Sequence, residues 1–109
     1  MKTAGLRTSF DAMMNSLANV QRRRMLVALL EHNPQDDVLA VLVDSESESD
    51  AVERLVSMHH IHLPKLANHG FIDWDKDSHK VTKGPKFDEI RPLLELLDDH
   101  EDELSADWL

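Results

Sequence analysis

Residues 51–69 constrain this chain more than any other stretch. Val52, Leu55, Val56, His59, Leu63, Leu66 and Ala67 recur at helical spacing and form one stripe on a wheel turned by about 100° per residue. The opposite side carries Arg54, Ser57, Met58, Ile61, Lys65 and Asn68, and Gly70 is a natural residue to end the helix. Pro64 lacks the N–H that would bond the His60 carbonyl, so the pattern predicts a kink there or a new helix starting near His62. Past the glycine the period changes. Phe71–Asp75 and Lys80–Lys83 are β-prone runs separated by Lys76-Asp77-Ser78-His79, which predicts a hairpin with a four-residue tip. A long amphipathic helix leading straight into a hairpin leaves few architectures open to a chain of 109 residues.

The flanking segments narrow them further. Residues 1–8 have no periodicity and read as a flexible tail. Thr8 and Ser9 are N-cap candidates, Thr8-x-x-Asp11 approximates a capping box, and Phe10, Met13, Met14 and Leu17 follow at amphipathic spacing. Asn19 suits the cap of a second helix, with Val20, Leu26, Leu29 and Leu30 on its apolar face and Asn33-Pro34 as its stop. Asp36–Asp44 holds the apolar run Val38–Val43, a buried helical turn or a buried strand; a short helix is the preferred reading. Ser45–Ser49 is a polar loop, with Ser49 or Asp50 as the next cap. After Gly84-Pro85, a last helix carries Phe87, Ile90, Leu94, Leu97 and Leu104, with Leu93 and Leu96 beside them, Asp88 as its cap and Pro92 ending its first turn. This wide stripe fits a partner helix or packing on its own domain. Helix, short element, longer helix, hairpin, helix is the order of a winged helix-turn-helix, a mainly α fold with a small β-hairpin wing. The expected organisation is a tail at 1–8, a winged helix-turn-helix domain at 9–84 and a C-terminal helix at 85–109.

Composition excludes several other classes. Hydrophobic residues make up 41% of the chain, enough for one core, while aromatics make up 5%, so aliphatic side chains must fill it. With no cysteine there is neither a disulfide framework nor a thiolate metal site. No segment reads as a signal peptide, and the run Val38–Val43 is far too short for a bilayer, so a cytoplasmic protein is expected. Glycine stands only at 5, 70 and 84, which excludes a phosphate-binding glycine loop, and there is no nucleophile elbow. The carboxylates of Asp98-Asp99 and Glu101–Glu103 read as a solvated helix end rather than an acid–base pair. No enzymatic activity, cofactor or small-molecule ligand is expected. His59 and His62 share an edge at i, i+3, which admits a metal-responsive sensor as a further alternative. However, there is no His-Glu-x-x-His spacing, and His59 reads as a core histidine donating to a backbone carbonyl, so no metal site is predicted.

The net charge of −9 opposes a nucleic-acid ligand at first sight, yet the acid is segregated. Residues 36–53 carry seven acids and no base, and residues 88–109 carry nine acids and one base, whereas residues 1–35 and 54–87 are each +3. The acidic blocks read as a solvated surface or as adaptation to concentrated salt. In a winged helix the recognition helix enters the major groove and the wing meets the backbone. Side chains suited to bases and phosphates are Arg54, Ser57, Ile61, Lys65 and Asn68 on the 51–69 helix, and Lys76, Ser78, His79 and Lys80 on the 71–83 wing. Arg22, Arg23 and Arg24 are expected to touch flanking backbone. Met58 and Ile61 on the helix face suit thymine methyls or a protein surface equally. Glu53, Asp73 and Asp75 would repel phosphate, an effect that molar salt screens to about 3 Å.

Two resemblances follow from these residues. Leu17-Ala18-Asn19-x-x-Arg22-Arg23-x-Met25-Leu26-x-x-Leu29-Leu30 resembles the opening helix of small archaeal and bacterial regulators of the ArsR-like winged helix type. His62-Leu63-x-Lys65-Leu66-x-x-x-Gly70-Phe71-Ile72 resembles their recognition helix entering the wing. A nearer resemblance, over roughly Phe10 to Leu109, is to small halophilic-archaeal winged-helix proteins of unknown function. It is carried by His32-Asn33-Pro34-Gln35-Asp36-Asp37, His59-His60-x-His62-Leu63-Pro64-Lys65-Leu66, Gly70-Phe71-Ile72-x-Trp74-Asp75, Lys83-Gly84-Pro85 and Glu89-Ile90-Arg91-Pro92-Leu93-Leu94-Glu95-Leu96-Leu97. The resemblance implies the winged-helix fold and favours the high-salt reading of the acid. It leaves Val38–Ser49 without a match, and the cysteine ligands of metal-sensing relatives have no counterpart. The expected function is a transcription regulator that binds double-stranded DNA as a homodimer, with Phe87, Ile90, Leu93, Leu94, Leu97 and Leu104 as the dimer contact. The alternative is a winged-helix protein–protein module that has lost DNA binding.

Overall fold

The computed structural model describes residues 8–43 and 45–109. Of the predicted tail only Thr8 falls among them, and Asp44, the end of the predicted 36–44 segment, lies outside them. Helix α1 (Phe10–Leu17) is capped by Ser9, whose hydroxyl accepts the Ala12 N–H at 3.1 Å. Thr8 instead donates its N–H to Glu89 Oε1 at 2.7 Å. Asn19 caps α2 (Val20–Glu31) by accepting from the Gln21 and Arg22 amides.

A two-residue strand, β1 (Gln35–Asp36), precedes the expected short helix α3 (Leu39–Leu42). Asp36 Oδ1 accepts the Val38 and Leu39 amides as α3 opens. Two polar residues carry no strand signature of their own, so β1 exists only through its pairing with a later strand. Helix α4 (Glu48–Ser57) is capped by Ser47, two residues ahead of the expected Ser49 and three ahead of Asp50. It runs into a π-helical turn (Met58–His62) and then into α5 (Leu63–Asn68). Strands β2 (Ile72–Asp75) and β3 (Lys80–Lys83) form the predicted hairpin, pairing Trp74 with Val81 and Asp75 with Lys80. The antiparallel sheet has the order β1-β3-β2, and α6 (Phe87–Asp99) closes the fold. This is a mainly helical, winged-helix layout with a small three-stranded sheet.

The π turn is where the structure departs from the predicted helix face. Leu63 donates its N–H to the Met58 carbonyl, five residues back. An α-helical turn would press the Pro64 ring on the His60 carbonyl with no N–H to bond it, and the wider turn relieves this. One extra residue per turn shifts the upstream face by one position. Met58, predicted to be exposed, is therefore 4% exposed, while Val52 and Val56, predicted to be inward, are 59% and 54% exposed.

The C-terminal helix folds back on its own domain. Phe87, Ile90 and Leu94, expected as dimer contacts, are buried in the same core as Leu26, Leu29 and Leu66, so they have no surface to give a second copy. Leu93 and Leu97 are half-buried against that core. Leu104 lies past the end of α6 and is half-buried after a short 3-10 turn (Glu101–Glu103). Asp88, expected as a cap, sits inside the first turn and pairs with Arg91 at 3.0 Å.

Arg22 ties the helices together from inside. Its Nε donates to the Ser16 carbonyl and one terminal nitrogen to the Asn15 carbonyl, each at 2.9 Å, at the end of α1. Its other terminal nitrogen lies 3.0 Å from His62 Nδ1 in the π turn. A guanidinium only donates, so His62 Nδ1 is the acceptor and the ring is neutral. Burial first, then the nearby Arg22 charge, lowers the His62 pKa below its ordinary 6.5, and burial lowers that of Arg22. With the folded-state value depressed, the unfolded chain binds more protons below about pH 6.5. His62 therefore contributes stability that is complete above pH 6.5 and lost as the pH falls. Urea unfolding should show a midpoint that declines from pH 7 towards pH 5, and His62→Gln should flatten that decline.

Gly84 permits the close approach of the α5–β2 connection. A Cβ there would lie 2.5 Å from the Gly70 carbonyl oxygen and 2.7 Å from the Ile72 nitrogen, both backbone atoms that cannot swing away. Gly84→Ala should lower unfolding free energy by about 3 kcal/mol or more in denaturant titration; a change within about 0.5 kcal/mol would contradict this packing.

Candidate nucleic-acid interface

The long helix α4–π–α5 and the hairpin β2–β3 stand side by side because one carboxylate fastens them. Asp37, just ahead of α3, is 1% exposed. Its Oδ2 accepts the Trp74 indole N–H at 2.9 Å and faces His59 Nε2 at 3.3 Å. Its Oδ1 faces His79 Nδ1 at 3.1 Å. Its backbone N–H donates to the His79 carbonyl at 3.0 Å. Three elements thus meet on one residue: the α3 approach through Asp37, the π turn through His59, and the hairpin through Trp74 and His79. Among the described residues, the basic side chains within ion-pair reach of Asp37 are these two histidines. His59 also bonds the Leu55 carbonyl through Nδ1 at 2.9 Å, the backbone-bonded role expected for it, and its ring packs tilted on Trp74.

The hairpin tip is shaped by its own side chains. Asp75 Oδ1 accepts the Asp77 and Ser78 amides, and those backbone bonds hold its carboxyl below the usual range. His79 has φ +62°, a left-handed conformation that costs a β-carbon residue energy and is held here by the bond to Asp37. Lys76 Nζ sits 4.9 Å from the Trp74 ring centre, a cation–π contact, and Lys80 is exposed.

The predicted contact residues divide into two groups. Ile61 and Asn68 are exposed on the helix, Ser57 and Lys65 are half-buried there, and Lys76, Ser78, His79 and Lys80 are exposed on the hairpin. Arg54 is half-buried and its guanidinium pairs with Asp50 at 2.9 Å. The Glu46 amide, ahead of that pairing, holds the Asp50 carboxyl low. The three arginines bind groups within the fold. Arg22 is the buried tie described above. Arg23 donates to the carbonyls of Leu17, Asp107 and Trp108 and stacks over the Trp108 ring, and Arg24 donates to the Leu109 carbonyl. His59 and His62, whose shared edge suggested a metal, are turned to different partners, Asp37 and Arg22.

Asp37 and Trp74 are the site residues that sequence reasoning missed. A buried acid beside an apolar run has no periodic signature. The one available signal is an indole on an otherwise polar hairpin, which needs a partner for its N–H. Trp74→Phe keeps an aromatic ring, though a smaller one, and removes the donor, so it should cost about 1–3 kcal/mol in urea unfolding; a neutral outcome would show that the indole N–H is not holding Asp37.

Among the described residues no helix is long and apolar enough to cross a membrane. Comparison with curated proteins and with solved structures gives no match. A family model does match, over residues 14–82, from within α1 to β3. The chain therefore belongs to the family described as a domain of unknown function, DUF7344.

Proposed function

We propose that this protein is a cytoplasmic DNA-binding regulator that lays α4–α5 along the major groove of double-stranded DNA, sets the β2–β3 tip on the neighbouring backbone, and acts as two copies on a two-fold site. The observation that carries this reading is the fixed setting of hairpin against helix through Asp37, with Lys76 and Lys80 exposed at the tip. A helix and a wing held at one angle are what a winged-helix reader needs, because each must meet its groove at the same time. Ile61 and Asn68 lie on the exposed side of the helix, and Lys65 is partly accessible there. The resemblance to ArsR-like and halophilic-archaeal winged-helix proteins points the same way, and concentrated salt would screen the repulsion from Glu53, Asp73 and Asp75.

A second reading is favoured by one specific observation. Val52, Val56 and Ile61, the last 56% exposed, run along the outward side of the helix with Glu48 and Glu53 near them. Such a face suits a protein partner better than phosphate.

Selection from genomic fragments in KCl, followed by titration of the best fragment across salt concentrations, tests both. Lys76→Ala/Lys80→Ala should lower the magnitude of the slope of log affinity against log salt by about 1.8. Absence of any enriched fragment, or a slope that the double variant leaves untouched, removes the DNA reading. Val56→Lys/Ile61→Lys separates the two classes: it should strengthen binding to DNA and abolish binding to a protein partner.

A further inference from the structure

His59 meets two acceptors at once. Its Nδ1 lies 2.9 Å from the Leu55 carbonyl oxygen and its Nε2 lies 3.3 Å from Asp37 Oδ2. A carbonyl can only accept, so Nδ1 carries a hydrogen. In the neutral ring Nε2 would then present a lone pair to a carboxylate. An imidazole satisfies acceptors at both nitrogens only as the imidazolium, which donates from each. Asp37 is buried, and a buried carboxylate needs a compensating positive charge.

We propose that a proton on His59 clamps the wing to the recognition helix, so that the setting of hairpin against helix follows pH. With the proton in place, His59 donates to the Leu55 carbonyl and forms an ion pair with Asp37, and Asp37 in turn holds Trp74 and His79 of the hairpin. Without it, two lone pairs face each other across the joint, and the hairpin loses part of its hold on the helix. The groups facing the joint come from every element around it. Asp36 and Asp37 lie ahead of α3, His59 and His60 on the π turn, and Trp74, Lys76 and His79 on the hairpin. Lys76 and His60 line the same notch of about 270 Å³, and the Lys76 ammonium is the permanent cation there. A metal ion is the other cation that bridges such a pair. Among the described residues, however, no three His, Cys, Asp or Glu side chains are placed to hold one, and Oδ2 is already occupied by the indole N–H.

The clamp itself does not depend on the ligand; its consequence for DNA rests on the reading given above. The test is nuclear magnetic resonance on the full chain from about pH 5 to about pH 8, the span in which histidine charge changes. The Trp74 indole N–H and the His59 ring signals should move together. The protection of the Asp37 amide and of the β2–β3 amides, taken relative to intrinsic exchange, should fall by roughly tenfold as the pH rises. His59→Gln supplies a donor that does not titrate and should remove both responses while leaving the fold intact by circular dichroism. His79→Gln serves as a second variant and should preserve the His59 response. Signals that stay still across the range, or a response that persists in His59→Gln, overturn the proposal. Zinc added at the high-pH end that restores protection in one-to-one stoichiometry also overturns it, by making the bridging cation a metal. DNA affinity over the same range should follow the protection. A clamp that titrates while DNA affinity stays constant leaves the clamp standing and removes only its consequence for DNA; the DNA reading itself falls only if no fragment is bound.

Discussion

Pro64 has no N–H to offer a preceding carbonyl, and the longest helical rod in the molecule widens one turn to accommodate it. Much of the architecture depends on that adjustment. It turns Met58 and His62 inward, where His62 meets Arg22, and through Arg22 the end of α1. It also sets His59 to face Asp37, on which the hairpin hangs. A regular helix would carry these residues round by one position, and neither polar joint would meet.

Both joints are made of polar groups inside a mostly aliphatic core, and they differ in kind. At Arg22 a permanent cation is satisfied by the Asn15 and Ser16 carbonyls at the end of α1, so the same bonds settle the charge and tie α1 to the π turn. At Asp37 an anion is satisfied by an indole and two imidazoles. The first joint keeps His62 neutral beside a guanidinium, while the second sets His59 against a carboxylate, although the two histidines are three residues apart on one helical segment. The acidic run of residues 36–53 also proves to be partly structural. Asp36 opens α3, Asp37 holds the hairpin and Asp50 pairs with Arg54. The Leu39 amide, and after it the Val38 amide, hold the Asp36 carboxyl below its usual range.

What could be read in the sequence is what local chemistry decides. The Asn19 cap and the hairpin with its Lys76–His79 tip depend on residues within a few positions of one another, and they lie where the pattern put them. The α4–α5 face depends on helical phase, which a single wide turn resets, so a wheel with constant pitch misassigned Val52, Val56 and Met58. Strand β1 is invisible because its partner β3 lies more than forty residues away and two polar residues carry no pattern. The carbonyl partners of the arginines at 22–24 were not legible because a guanidinium reads the same whether it faces a phosphate or a carbonyl. Their carbonyl partners lie near the end of α1 and near the end of the chain, and only the folded arrangement brings those together. The stripe of α6 fitted two destinations equally well, and burial of Phe87, Ile90 and Leu94 decides for the interior.

The widened turn also has a geometric consequence for whatever meets the outer side of the rod. Val52 and Val56 are four residues apart, and Ile61 follows five residues later, across the π turn. The ridge they make is not the even spiral that a uniform α-helix presents, because its pitch changes midway. A complementary surface must change pitch at the same point, as a key with one offset tooth fits only a lock cut to match. The shape of this face is therefore set by the backbone of the helix as well as by its side chains.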